Sequence, residues 1–119
     1  MARFLTVLKP AAPIAPAALI DGLAPLLEVL HADVDHRTPA HLSALLRGGH
    51  EQLRMQLFAD VQSKAEGPVL ELVLMSREAM GQGAPQTRAV FQRMLDEAAQ
   101  SLGHLQLSFR SDRDGALPS

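Results

Sequence analysis

Within the stretch His31-Ala32-Asp33-Val34-Asp35-His36 two imidazoles and two carboxylates lie close together in the chain, with His41 and His50 not far beyond. Imidazole plus carboxylate is the ligand set that zinc, manganese or ferrous iron accepts. The plainer reading is a solvated polar loop after a helix, with His31 at the negative end of the helix dipole. Ligands must converge in space, which a short loop does not guarantee, so no metal site and no cofactor is assigned. A second stretch, GQGAPQTR, places two glycines before a helix start, with Arg88 in its first turn. Helix-terminal amides bind anions, and a cation against the positive end of the dipole is better accommodated with a partner. An ordinary strand-to-helix turn explains the same glycines, and neither GxGxxG nor GxxxxGK[ST] is present. GxSxG and HExxH are also missing, Glu71 is a carboxylate inside a strand-like run that is expected to face outward, and the methionines read as core filler.

The composition narrows the field further. The chain has 119 residues, 11 Lys and Arg against 13 Asp and Glu, 47% apolar residues, four Phe and no Trp, Tyr or Cys. Such a length suits one domain, expected over residues 1–110 with a flexible polar tail over 111–119. The core must be aliphatic. Aromatic stacking platforms and a basic phosphate grip are both missing, which argues against nucleic-acid binding, and without cysteine there is no disulfide framework or thiol chemistry. Lys9 and Pro10 interrupt the first apolar run before a signal sequence forms, and no long uncharged apolar span is present. A cytoplasmic protein not associated with membranes is the expectation.

The elements that must position any chemistry follow from hydrophobic period. Arg3 to Leu8 reads as a strand apolar on both faces, and the prolines at 10, 13 and 16 make an extended connector. Leu19, Ile20, Leu23, Leu26, Leu27 and Leu30 share a helix face, with Pro16 at its entrance and Pro25 kinking or splitting it. Residues 31–37 read as a loop, and Thr38-Pro39 with Leu42, Leu45 and Leu46 as a short helix ending at Gly48-Gly49. Over 51–62 two periods compete: Leu53, Leu57 and Val61 fit a helix, while Leu53, Met55, Leu57, Ala59 and Val61 alternate as in a strand. The turn at 64–67 and the run Pro68–Met75 favour a hairpin. Pro85 opens the cleanest helix, burying Val90, Phe91, Met94, Leu95, Ala98 and Leu102, and Leu105, Leu107 and Phe109 alternate in a last strand. The predicted fold is α+β, in the order β-α-(α)-β-β-α-β, with a four-stranded mixed sheet and two main helices on one face. The sheet's second face would then meet another subunit.

The strand beginning at the second residue, the segment LELVLMS, the Gly-containing loop, PQTRAVFQRMLDEAA and the closing LQLSF together resemble the tautomerase superfamily, in particular its 5-carboxymethyl-2-hydroxymuconate isomerase branch. The likeness covers the element order over most of the chain and the residues of 69–109. It implies a tautomerase-like homotrimer and an N-terminal proline amine that shuttles a proton between carbon and oxygen of an enol. Here Ala2 stands in place of that proline. A primary amine on Ala2 after loss of Met1 remains a base or an imine former, with an ordinary pKa of about 8. The family's loop arginine before the second helix is replaced by Gln82 and Gly83, leaving Arg88, Arg37 or Arg54 to hold a substrate carboxylate.

Two functions follow as expectations. The first is keto-enol proton transfer on a small carboxylic acid through the non-proline amine of Ala2, with Lys9, Arg37 and Arg88 binding the substrate. Lys9 and Arg37 also read simply as solvated charges. The second is a catalytically silent α+β module for oligomerisation or partner binding, which the missing proline and arginine favour. A helical interaction protein would follow only if residues 39–66 were helix.

Overall fold

β-branched and leucine residues at the start of the chain make β1 (Ala2–Pro10) the strand expected there, slightly longer than the apolar run itself. The structure is a computed structural model and describes residues 1–47 and 51–114. Pro10 is the last residue of β1, paired with Leu105, and beyond Pro13 the chain crosses to α1 (Pro16–Asp21) and α2 (Ala24–Val29). Pro25 splits the first helical region, as its missing donor requires, and sits in the first turn of α2, where no intrahelical donor is needed. There follow β2 (Ala32–Thr38), β3 (His41–Leu46), a 3₁₀ turn (Glu51–Leu53), β4 (Gln56–Lys64), β5 (Gly67–Ser76), α3 (Pro85–Ser101), β6 (Leu105–Arg110) and a last helical turn, α4 (Ser111–Asp114).

The six strands form one sheet in the order β2-β3-β4-β5-β1-β6, and every neighbouring pair is antiparallel. This corrects the four-stranded mixed, tautomerase-like sheet. Strands β5 and β6 run the same way, but β1 lies between them and runs against both. Likewise β1 and β2 run the same way with three strands between them. The two β-α-β crossovers are therefore present without producing any parallel neighbours.

The two extra strands come from residues 32–46. Expected as a loop and a helix, they form the hairpin β2–β3, turning at Pro39-Ala40 with Thr38 paired to His41. Leu42, Ala44 and Leu46 alternate into the core at 0–1% exposure, so the period there is two and Leu45 belongs to the other face. Strand β2 is an edge strand almost wholly exposed, with no apolar face to announce it. A bulge at Asp35 shifts its register between Val34 and His36. Gly48 and Gly49, the expected helix stop, and His50 lie outside the described residues. The β4–β5 hairpin forms with Lys64 paired to Gly67, whose φ of 120° suits glycine. Residues 56–64 are strand, which removes the predominantly helical alternative.

The helical layer packs on one face. Its central contact is the stack of Phe91 from α3 on Phe4 from β1, with ring centroids 5.3 Å apart. Leu57, Leu70, Leu72 and Leu74 surround them at 0% exposure, together with Leu23 and Leu26 from the split helix. Glu71, Phe58 and Asp60 lie on the opposite face. In β6 a bulge shifts the register between Val7 and Leu8, so Leu107 pairs with Leu8 and Phe109 with Val7, on opposite faces, instead of sharing one. The expected tail begins as ordered structure: Ser111 Oγ accepts the Leu5 amide proton at 2.9 Å, and Asp112 holds Arg110 with two bonds of 2.7 Å. Residues 115–119 lie outside the described residues. No helix among the described residues is long and apolar enough to cross a membrane.

Candidate functional site

The helix start that looked able to bind an anion is already occupied by one. Glu78, just beyond β5, accepts the amide protons of Gln86 at 3.0 Å and Thr87 at 2.7 Å, and the Thr87 hydroxyl at 2.7 Å. These are first-turn donors of α3 that no helical carbonyl can satisfy. Desolvation pushes the Glu78 carboxyl up, but the Thr87 hydroxyl and the two amides together outweigh it and hold the group below its ordinary value. The anion predicted for this loop is thus the chain's own side chain.

Arg88 has partners there as well. Its Nε donates to the Gly83 carbonyl at 3.3 Å and its guanidinium carbon lies 5.7 Å from the Phe4 ring centroid. That contact offsets the unfavourable dipole position. Arg37, on β2, pairs with Asp21 of α1. Lys9 lies 3.9 Å from Glu66 at the far end of β1, an exposed pair of little energetic weight. Ala2 is fully buried and paired with Ser76, and the N-terminal amine belongs to Met1, which is 75% exposed. Seven residues of strand put Lys9 roughly 23 Å from Ala2, and four strand spacings put Arg37 roughly 19 Å from β1. Of the four residues expected to share a site, only Ala2 and Arg88 lie at the same end of the sheet.

The polar stretch 31–36 is likewise dispersed. Arg47 binds Asp33 at 2.8 Å, Ser43 binds Asp35, and His41 Nδ1 lies 2.6 Å from Asp60 Oδ1 beside the His36 ring. Among the described residues no three His, Asp or Glu side chains converge as a metal site would need.

What the tertiary structure does assemble is a group of arginines near the N-terminus. A shallow depression of about 250 Å³ is lined by Met1, Arg54, Gln56, Met75, Ser76 and Arg77. Arg77 follows β5 directly, and its amide donates to the Leu53 carbonyl at 2.7 Å, tying the end of β5 to the 3₁₀ turn before β4. Arg54 follows that turn in the left-handed region, φ 49°, an uncommon conformation for a residue with a side chain. Arg3, paired in register with Met75, adds a third guanidinium on the same side of the sheet. The side chains of Arg3, Arg54 and Arg77 have no hydrogen-bonding or ionic partner among the described residues. Arg54 was within reach of sequence reasoning as a carboxylate ligand; Arg77 and Arg3 were not. The only signal for them is position: one directly after a strand end, the other one residue past the start of its antiparallel neighbour. No protein-family model matches the chain, and no curated protein is significantly similar to it.

Proposed function

We propose that this protein binds a small carboxylic acid at the Met1 end of β1, and that the N-terminal amine beside the bound acid serves as the base in a keto-enol proton transfer. The observation that carries the reading is that Arg54 and Arg77, whose side chains have no partner among the described residues, both line the depression that Met1 also lines. Guanidinium forks match carboxylate geometry, and two of them facing one hollow attract an anion more strongly than either alone. The amine, once neutral, takes the proton from the enol oxygen, and the ammonium so formed returns a proton to the adjacent carbon as the C=O forms, the bound carboxylate holding both atoms within its reach. Lys9, Arg37 and Arg88 have no part in this site. The substrate binders are Arg54 and Arg77, with Arg3 contributing charge.

The test uses phenylenolpyruvate with protein whose N-terminus has been checked by intact mass. Expected are a ketonisation rate above buffer that vanishes when the amine is blocked, and calorimetric binding that weakens in Arg54→Gln and Arg77→Gln. Binding without turnover would leave an acid-binding module and remove the catalytic half. No binding by the wild type would remove both. The catalytically silent oligomerisation module is the second reading, supported by the engagement of Arg37, Lys9 and Arg88 within the fold.

A further inference from the structure

Helices α1 to α3 cover one face of the sheet, and the opposite face carries two like-charged pairs of opposite sign. Glu71 of β5 and Asp60 of β4 are directly paired across the two strands, an arrangement that costs free energy until a cation joins it. Asp60 is shared with His41, and the Glu71 side chain has no hydrogen-bonding or ionic partner among the described residues. Arg54 and Arg77 flank the other end of the same two strands, beyond the Gln56–Met75 pair, and their side chains are unpartnered too. Between the acids and the arginines runs an apolar belt of Leu5, Val73, Met75, Phe58 and Leu45, in which Met75, Phe58 and Leu45 stay partly exposed.

The spacing of these charges is symmetric. Residue 74 is midway between Glu71 and Arg77, residue 57 is midway between Asp60 and Arg54, and Leu57 and Leu74 are themselves paired neighbours. A single two-fold axis lying across the strands at this pair therefore exchanges acids with arginines on both strands at once. A two-fold axis along the strands does the opposite and lays arginine on arginine and acid on acid. The face is thus complementary in charge to its own copy in one orientation and repels it in the other.

We propose that this face stacks on the same face of a second copy of the chain about that axis, Arg77 and Arg54 of each copy meeting Glu71 and Asp60 of the other. Stacked sheets lie about 10 Å apart, a gap that an arginine and a carboxylate side chain span together. Packed sheets also cross at roughly 30°, which the pairing accommodates because both acids, like both arginines, sit side by side. The same operation sets Val73 on Met75 and Phe58 on Gln56, giving an apolar centre with ion pairs at its two ends. Seven residues, 71 to 77, by six strands measure roughly 24 Å by 24 Å, on the order of 600 Å² per copy and 1,200 Å² in all, within the range of specific interfaces. The second copy's carboxylates reach the arginines assigned above to a small acid, so pairing and acid binding compete. The pairing itself does not rest on that assignment.

Sedimentation velocity on the whole chain without added acid, from about 5 to 200 μM, should show the wild type passing from monomer to dimer. Glu71→Arg and Arg77→Glu should each raise the dissociation constant about tenfold or more, because each puts like charges in contact at both ends. An equimolar mixture of the two variants should dimerise again, since the reversed charge of each then meets its opposite on the other. Glu71→Gln keeps the side chain's size and relieves its repulsion with Asp60, so it should raise Tm while weakening the dimer, a combination that a merely structural role does not produce. Val34→Lys, on the edge strand β2, should leave the dimer unchanged. A chain that dimerises yet binds no phenylenolpyruvate supports the pairing and removes only the acid-binding reading. A wild type that is monomeric throughout, a trimer, an unchanged dimer in Glu71→Gln, a mixture of the reversed variants that stays monomeric, or equal loss in Val34→Lys would each overturn the proposal.

Discussion

Replacing Thr87 by Val should expose how the first turn of α3 is fastened to the end of β5. The Glu78 amide donates to Ser76 Oγ at 3.0 Å, Ser76 and Thr87 hydroxyls lie 2.6 Å apart, and Thr87 donates to the Glu78 carboxylate. An ionised carboxylate only accepts, so the Thr87 proton goes to Glu78 and the Ser76 proton must go to Thr87. Ser76 and Thr87 are 2% and 0% exposed. Thr87→Val therefore strands a buried hydroxyl donor, at a cost of about 1–3 kcal/mol, whereas the accessible Glu78 recovers its lost bond from water. For a chain of this size 2 kcal/mol corresponds to a Tm lower by roughly 8 °C. Ser76→Ala alone should cost about 1 kcal/mol, because it frees an acceptor and one amide. The double variant should cost less than the sum by about 1 kcal/mol, since removing both partners leaves no orphaned hydroxyl. Urea denaturation of the four proteins reads the cycle. Additivity to within about 0.4 kcal/mol would refute the assigned direction of donation.

Acid should destabilise the protein through Glu78 and Asp112, whose carboxyls are held below their ordinary values, the latter chiefly by its bonds to Arg110. The unfolded chain binds more protons as pH falls, so the stabilisation is complete above the ordinary carboxylate range and is lost as pH drops through the lowered folded values. A Tm series down to about pH 3 should show this limb, flattened in Glu78→Gln, and an unchanged limb would contradict the capping role. Arg54→Gln and Arg77→Gln should each weaken phenylenolpyruvate binding about fivefold, reflecting a charge-assisted bond discounted for exposure, and added salt should weaken the wild type. Calorimetry decides, and wild-type affinity in the double variant would dismiss the site. Phe91→Ala removes a fully buried ring stacked on Phe4 and should cost about 3–5 kcal/mol in urea denaturation, with Phe91→Leu milder.

Several features were legible because a local rule governs them. Pro16, Pro25 and Pro85 mark helix starts since a missing donor costs nothing there, and the apolar face of α3 repeats with the period of a helix. The β4–β5 hairpin is written in the alternation Leu53 to Val61 and in the turn before Pro68. The hairpin β2–β3 was not legible. An edge strand with polar side chains on both faces carries no alternation, and Leu45-Leu46 beside Leu42 imitates a helical stripe until the core shows which leucines it accepts. Those two strands, and the insertion of β1 between β5 and β6, convert the expected mixed sheet into an antiparallel one. The candidate site divides in the same way. The sequence by itself determined a mostly aliphatic core and the helices beginning near Pro16, Pro25 and Pro85, and it supplied the arginines. Only the tertiary structure decided which of them meet: it spends Arg37 on Asp21 and Arg88 on Phe4, fills the helix start with Glu78, and leaves Arg54 and Arg77 facing one hollow. The reason is that the meeting of residues 54 and 77 follows from the local register of the β4–β5 hairpin, in which Gln56 pairs with Met75, whereas the partners of Arg37 and Arg88 lie on α1 and β1 and are set by which faces can be buried together.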